Sequence, residues 1–345
     1  MKNNLPDQWS ILAGLRFFLA LVVATEHLGT FTNTGAMRHI ASFGSFEAIL
    51  GFLLISGYSV GGSYLHQPEG FLMRRFWRVY PVYLASIVVT LVVSVSCLHL
   101  TPPSLVCLIN NLLFLNQITT STSLVGPAWT LALEVWLYCL CPMMLRASPA
   151  VLRSMSYLSF SLFASYTLGR SMFHWPYYSG IGWGGNLPLL SFAWILGLRI
   201  ADPRCERRKA LMDVLMMFTL YTLLHVGIQA VSRLRHHELC SLLRLDLPIE
   251  FKHTVCLGIV FFVFRFLIGS SVDNRRSLPL RFLGDISYPL YLLHFAVFTA
   301  LVTMGLKNPY LMTMLAIAGS ALVYLACDSY SRKRHLAISQ NQVTP

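Results

Sequence analysis

The sequence predicts an all-α, polytopic membrane bundle of about ten transmembrane helices with both termini cytoplasmic, and three observations carry that expectation. Of the 345 residues, 55% are hydrophobic and only 12% charged, with a mean hydropathy of +0.61, whereas soluble domains carry about 25% charged residues. Apolar windows of roughly 18 or more residues recur from end to end, each long enough to cross a hydrocarbon core ~30 Å thick. The basic residues also collect on one side of the layout that these windows define. In a soluble chain the net charge of +12 would point to nucleic acid. Here cytoplasmic loops account for it, and no nucleic-acid partner is expected.

Read against their breakers, the apolar runs place the first crossings at 11–31 and 43–64. Residues 1–10 contain Lys2, Pro6 and Asp7 with no small-residue cleavage pattern, so the first span is expected to stay as an anchor. The third crossing, 80–100, follows a loop, HQPEGFLMRRFWRVYPVY, rich in Arg and aromatic residues. Residues 104–118 form a short run carrying Asn110, Asn111 and Asn116, and are read as an outer-face or re-entrant helix. The remaining crossings are expected at 128–146, 151–169, 187–200, 211–231, 250–270, 284–306 and 310–330. Between the fifth and sixth, Trp175, Tyr177, Tyr178 and Trp183 stand among glycines and read as an interfacial aromatic belt.

With ten crossings that start inside, the inner segments hold Lys2; Arg74, Arg75 and Arg78; Arg146 and Arg153; Arg199, Arg204, Arg207, Arg208 and Lys209; Arg275, Arg276 and Arg281; and Arg332, Lys333 and Arg334. These 17 outnumber the seven outside, which are Arg38, Arg170, Arg233, Arg235, Arg244, Lys252 and Lys307. Counting 104–118 as a crossing would reverse the later loops, so the bias favours ten. The chain is expected to form one transmembrane domain over 1–335 with a short polar tail, 336–345. The eight cysteines include no CxxC pair. Cys139 and Cys141 lie about 200° apart around a helix, so they read as small hydrophobes rather than a disulfide or metal site, and no metal is expected.

Charge at bilayer depth costs about 2.5–3.5 kcal/mol per residue on insertion scales, so intramembrane ionisable groups are functional candidates. Arg16 and His27 are eleven residues apart, which brings them to within ~20° of the same helix face and ~16 Å apart along the axis. Glu26 points about 100° away from His27. His27 also has a structural reading, as a cap or a polar contact. In PAWTLALEVWLYCLCP, Thr130, Glu134 and Tyr138 recur every fourth residue as one polar stripe beyond Trp129. The stripe suits either a cavity or an interhelical hydrogen-bond cluster. In FLGDISYPLYLLH, Asp285 and Ser287 mark the inner end, and Tyr288, Tyr291 and His294 follow at intervals of three. His225 and Arg265 read as structural, with Arg265 able to snorkel. Arg74, Arg75 and Arg78 suit either a positive-inside anchor or a multiply phosphorylated ligand, because guanidinium binds phosphate bidentately.

These segments resemble the acyltransferase type 3 membrane proteins, which O-acylate cell-surface glycans, over nearly the whole chain. LAGLRFFLALVVATEH is similar to that family's first-span pattern of an Arg followed by a His about eleven residues on. GFLLISGYSV resembles its FFxLSGF element, FLMRRFWRVYPVY its RIYP segment, PAWTLALEVWLYCLCP its WSLxxExxFYxxxP element, and LGDISYPLYLLH its LGxxSYxxYLxH element. Ala13 stands where the family usually has Asp, Thr130 where it has Ser, and CDSYSRKR lacks its usual Glu and Pro near Asp328. The resemblance implies a multi-pass protein of the cell (inner) membrane. Its co-substrate would be acyl-CoA, acetyl-CoA foremost, used with no bound cofactor, and its acceptor a hydroxyl of a glycan or lipid-linked glycan. His27, Arg16 and Glu134 would be catalytic, Arg74, Arg75 and Arg78 would bind the donor, and Trp129, Tyr288, Tyr291 and His294 would bind substrate. The alternative is a transporter with an intramembrane His, Arg and Glu pathway, although the two matching halves common in transporters are not evident.

Overall fold

The computed structural model describes residues 8–269 and 278–341. Lys2, Arg275 and Arg276, and the side chains of Asp328, Arg332, Lys333 and Arg334, lie outside the described residues, as do Pro6 and Asp7 of the segment before the first span. No strand occurs among the described residues.

The described helices of eight or more residues are α1 (Gln8–Leu28), α2 (Ser45–His66), α3 (Phe71–Ser96), α4 (Leu105–Leu112), α5 (Trp129–Met144), α6 (Pro149–Phe173), α7 (Asn186–Ala201), α8 (Arg207–Arg235), α9 (Leu247–Gly269), α10 (Leu278–Thr303) and α11 (Pro309–Asn341). A helix stands at each of the ten expected crossings. Seven of them, α1, α2, α3, α8, α9, α10 and α11, are long and apolar enough to cross a membrane. The other three fall short for different reasons. At 16 residues each, α5 and α7 rise only about 24 Å, and α6 is diluted by Ser154, Ser156, Ser159, Ser161 and Ser165.

Burial sorts the helices into an inner and an outer set. The apolar window of α2 is 67% buried against 22% for α3, α8 and α11. The axis of the bundle is built by α1 against α10 and by α2 against α7. The outer helices show Val88 and Val92 on α3, Leu223 on α8, Phe262 and Phe266 on α9, and Leu322 on α11, all exposed. Such faces suit acyl chains rather than water.

Several expectations are corrected. The basic aromatic segment is not a loop, because α3 starts at Phe71 behind Gly70, whose φ of 63° favours glycine. Arg74, Arg75 and Arg78 therefore ride on a helix. The last helix continues past 330 to Asn341, so residues 336–341 extend it. The outer aromatic loop is partly folded inward. Tyr178 is buried and its ring lies 4.8 Å from Phe46, while Trp183 stays 91% exposed.

At eight residues, α4 rises only about 12 Å and does not span. Its asparagines explain why the chain turns there. Asn111 donates to the carbonyls of Cys107 (2.9 Å) and Thr122 (3.2 Å) and accepts from the Leu124 amide (2.9 Å). Asn116 donates to Ser123 at 2.7 Å. Backbone that leaves the helix at this depth must find protein partners, and these amides supply them.

Candidate active site

Three of the helices around the cavity carry an internal proline: Pro81 in α3, Pro142 in α5 and Pro289 in α10. Each removes one backbone donor and frees the carbonyl four residues back, at Trp77, Tyr138 and Asp285. Around this level the helices enclose a cavity of about 170 Å³. It is lined by Arg16 from α1, Ser56 and Ser59 from α2, Arg75 and Arg78 from α3, Thr130, Glu134 and Tyr138 from α5, Asp285, Tyr288 and Tyr291 from α10, and Tyr324 from α11. A more open groove on α9, lined by Thr254, Gly258, Phe262 and Phe266 among others, holds no ionisable group.

The expected α5 stripe faces the cavity with all three residues. Glu134 makes no hydrogen bond or ion pair with Arg16, His27 or His294. Its Oε2 accepts instead from the hydroxyls of Ser56 (2.8 Å) and Tyr138 (2.7 Å). Counter-charge comes from the guanidiniums that share the cavity. Arg75 donates to the Ser59 carbonyl at 2.9 Å, and the guanidiniums of Arg16 and Arg78 make no hydrogen bond or ion pair with any described residue. Three cations against Glu134 and Asp285 leave a net positive chamber. Asp285 is itself held by the Tyr324 hydroxyl at 3.1 Å.

The arginine trio is split. The Arg74 guanidinium turns away to the carbonyls of Gln67 and Glu69, closing the α2–α3 turn, and does not line the cavity. Trp129 is buried and packs on Tyr177 with ring centroids 6.3 Å apart; it does not line the cavity either. Tyr288 and Tyr291 do line it. The Tyr291 hydroxyl lies 2.6 Å from Thr130 Oγ1 and donates to the Pro127 carbonyl at 3.1 Å, and Tyr288 donates to the Val79 carbonyl at 3.1 Å.

His27 and His294 lie outside this cavity, one turn beyond Tyr291, and meet each other. His27 Nδ1 is 2.8 Å from His294 Nε2, and His294 is fully buried. Both His294 nitrogens are taken, since Nδ1 donates to the Leu290 carbonyl at 2.9 Å, and none is left for a substrate. Glu26, next to His27, instead caps α2, accepting from the Ser45 amide (2.5 Å) and hydroxyl (2.9 Å).

Sequence reasoning missed Ser56, Ser59 and Tyr324 at the cavity. Ser56 and Ser59 lie three apart in an apolar helix, a signal that could have placed them on one face. It also missed a buried group between α2, α8 and α9. Glu47 accepts from Tyr221 (2.5 Å) and has His253 Nδ1 at 3.3 Å, with the His225 ring 4.4 Å from Tyr221. Arg265 is exposed, and Cys141 is buried while Cys139 is exposed, as their angular separation requires.

A bundle that is all-helical among the described residues, with seven membrane-length helices there and a cationic chamber between helices, is a multi-pass membrane protein. A family model described as an acyltransferase domain, that of the acyltransferase type 3 proteins, matches residues 9–332. The chain belongs to that family and is a membrane acyltransferase, which decides against the transporter alternative. Neither the curated proteins nor the solved structures contain a match to it.

Proposed function

We propose that the protein transfers an acyl group, foremost acetyl, from acyl-CoA to a hydroxyl of a surface or lipid-linked glycan. Ten crossings would place Arg16, Arg75 and Arg78 toward the cytoplasm, where acyl-CoA is made, and His27 toward the outer face of the cell (inner) membrane. The observation that carries this reading is the polarity of α1. One helix presents Arg16 to a chamber with two further guanidiniums, and His27, about three turns on, lies outside that chamber. Guanidiniums with free donors suit the phosphates of the donor. The imidazole suits deprotonation of the acceptor hydroxyl or transient carriage of the acyl group. Glu134, held by Ser56 and Tyr138, would balance the guanidiniums and fix their orientation, with Tyr288 and Tyr291 shaping the end of the chamber.

The test is purified protein in bilayers, given acyl-CoA labelled in the acyl group together with a glycan extract. The expected result is thioester cleavage with label on glycan, abolished in His27→Ala. Label that never leaves the donor with wild-type protein, or near-normal turnover in His27→Ala, would overturn the reading.

A further inference from the structure

The contact between His27 and His294 constrains where the protons sit. The Leu290 carbonyl oxygen can only accept, so the His294 nitrogen 2.9 Å from it, Nδ1, must carry a proton. A second proton on Nε2 would make an imidazolium with no exposed surface. No described carboxylate lies within ion-pair distance of it, and Glu26, beside His27 in sequence, is committed to Ser45. A buried charge without a partner is strongly disfavoured, so His294 is neutral and its Nε2 presents a lone pair. The nitrogen 2.8 Å away, His27 Nδ1, must then donate. The two ring planes lie within 10° of each other with centroids 5.1 Å apart, an arrangement that an in-plane N–H···N bond allows. Phe295 and Phe298 stand edge-on to the pair at 5.9 Å.

We propose that His294 is a positioning residue that sets the tautomer of His27, holding the proton on Nδ1 and leaving Nε2 as the reactive nitrogen. This rests on the acyl-transfer reading for its function but not for its geometry. Nε2 of His27 has no hydrogen-bond partner among the described residues and is not sealed by the protein, so it is the nitrogen open to a substrate. In transfer, the acceptor O–H gives its proton to Nε2 while its oxygen bonds to the thioester carbon. The C–S bond then breaks, and the departing sulfur takes the proton from Nε2 as the free thiol. If the acyl group is carried on His27 first, Nε2 bonds to the thioester carbon as the C–S bond breaks and thiolate leaves; the acceptor oxygen then takes the acyl group as the C–N bond breaks, and the acceptor proton ends on the thiolate as the free thiol. The protonation of one ring nitrogen is commonly fixed by the bond the other makes, and here the chain of command runs from the Leu290 carbonyl through His294 to His27.

The test combines nitrogen NMR of [15N]histidine-labelled protein in bilayers, with the His27 signals assigned by their loss in His27→Gln, and kinetics of two variants. Wild-type His27 should show a protonated Nδ1 and an unprotonated Nε2, and His294→Leu should lose that preference. His294→Leu should lower kcat about 100-fold with donor KM within about twofold, because the donor's chamber is untouched. His294→Gln places an amide oxygen near the position of Nε2 and should recover most of kcat. A wild-type His27 protonated at Nε2, a fully active Leu variant, or a Gln variant as impaired as Leu would each overturn the proposal. Should the Leu variant fail to assemble, the wild-type spectrum and the Gln variant decide. If wild-type protein transfers no acyl group, the functional reading fails while the spectrum still tests the tautomer.

Discussion

At the scale of single residues, chemistry was legible where periodicity alone fixes a face, and illegible where it depends on depth or on a partner helix. Thr130, Glu134 and Tyr138 repeat every fourth residue and reach one cavity. Arg16 and His27 also share a face, but their ~16 Å of helix axis puts them in different places, and no sequence rule names His294 as the partner of His27. The arginine segment divides for a local reason. Arg74 stands closest to Gly70 and closes the preceding turn, while Arg75 and Arg78, three apart, face inward. Arg74→Ala should therefore leave the donor's apparent KM within about twofold, while Arg75→Ala and Arg78→Ala each raise it about tenfold, the equivalent of ~1.4 kcal/mol. An unchanged donor KM in all three variants, with correctly inserted protein, would return the segment to a plain topological anchor. Glu134→Gln keeps an amide oxygen to accept from Ser56 and Tyr138 but removes the charge among three guanidiniums. It should lower kcat about 10- to 100-fold without loss of folded protein. Wild-type turnover in that variant would show that only hydrogen bonding is needed at this position.

At the scale of elements, helix positions followed from apolar runs, but the close approaches that hold helices together did not, because a glycine has no side chain to reveal its partner. A Cβ on Gly57 would lie 1.9 Å from the Trp194 carbonyl oxygen, and one on Gly197 would lie 2.0 Å from that of Leu54. The two glycines thus let α2 and α7 touch backbone to backbone, the way membrane helices gain packing that lipid cannot drive. Gly284 makes a similar approach to α1, where an added Cβ would lie 2.3 Å from that of Ala13. Since Ser56 adjoins Gly57, the α2–α7 contact also sets where Glu134's donor sits. Gly197→Ala should cost about 1–3 kcal/mol, read as a lower melting temperature in detergent, and should reduce activity along with it. Gly258→Ala and Gly319→Ala, at positions with nothing within 4 Å, serve as controls and should be neutral or stabilising by up to about 1 kcal/mol. Equal melting temperatures in Gly197→Ala and the controls would mean that the contact carries no stability.

At the scale of the whole molecule, α5, α6 and α7 differ from the seven membrane-length helices in length or hydropathy, and their surroundings account for the difference. For α5, the 3-10 turn Gly126–Ala128 runs directly into Trp129, and three residues at ~2 Å each extend the segment to about 30 Å. For α7, 13 of its 16 residues are buried, with Leu189–Ile200 unbroken, so protein rather than lipid surrounds most of its length, and a short hydrophobic span is tolerated there. Polar residues on α6 find partners too: Ser159 donates to the Pro188 carbonyl at 2.5 Å and accepts from the Phe192 amide at 2.8 Å. Low hydropathy is therefore no bar to a helix that is only partly lipid-facing, and the charge bias in the sequence is consistent with all three crossing. Single cysteines in a cysteine-free background, labelled in intact cells by a membrane-impermeant maleimide, separate the arrangements. Ser121→Cys and Trp183→Cys should label from outside, while Arg146→Cys and Glu206→Cys should label only after the membrane is opened. Ser121 and Arg146 flank α5, Arg146 and Trp183 flank α6, and Trp183 and Glu206 flank α7, so each pair reports on one helix. If Ser121→Cys and Arg146→Cys labelled from the same side, α5 would not cross. The chamber would then keep its residues, but the donor would have no fixed side from which to reach Arg75 and Arg78.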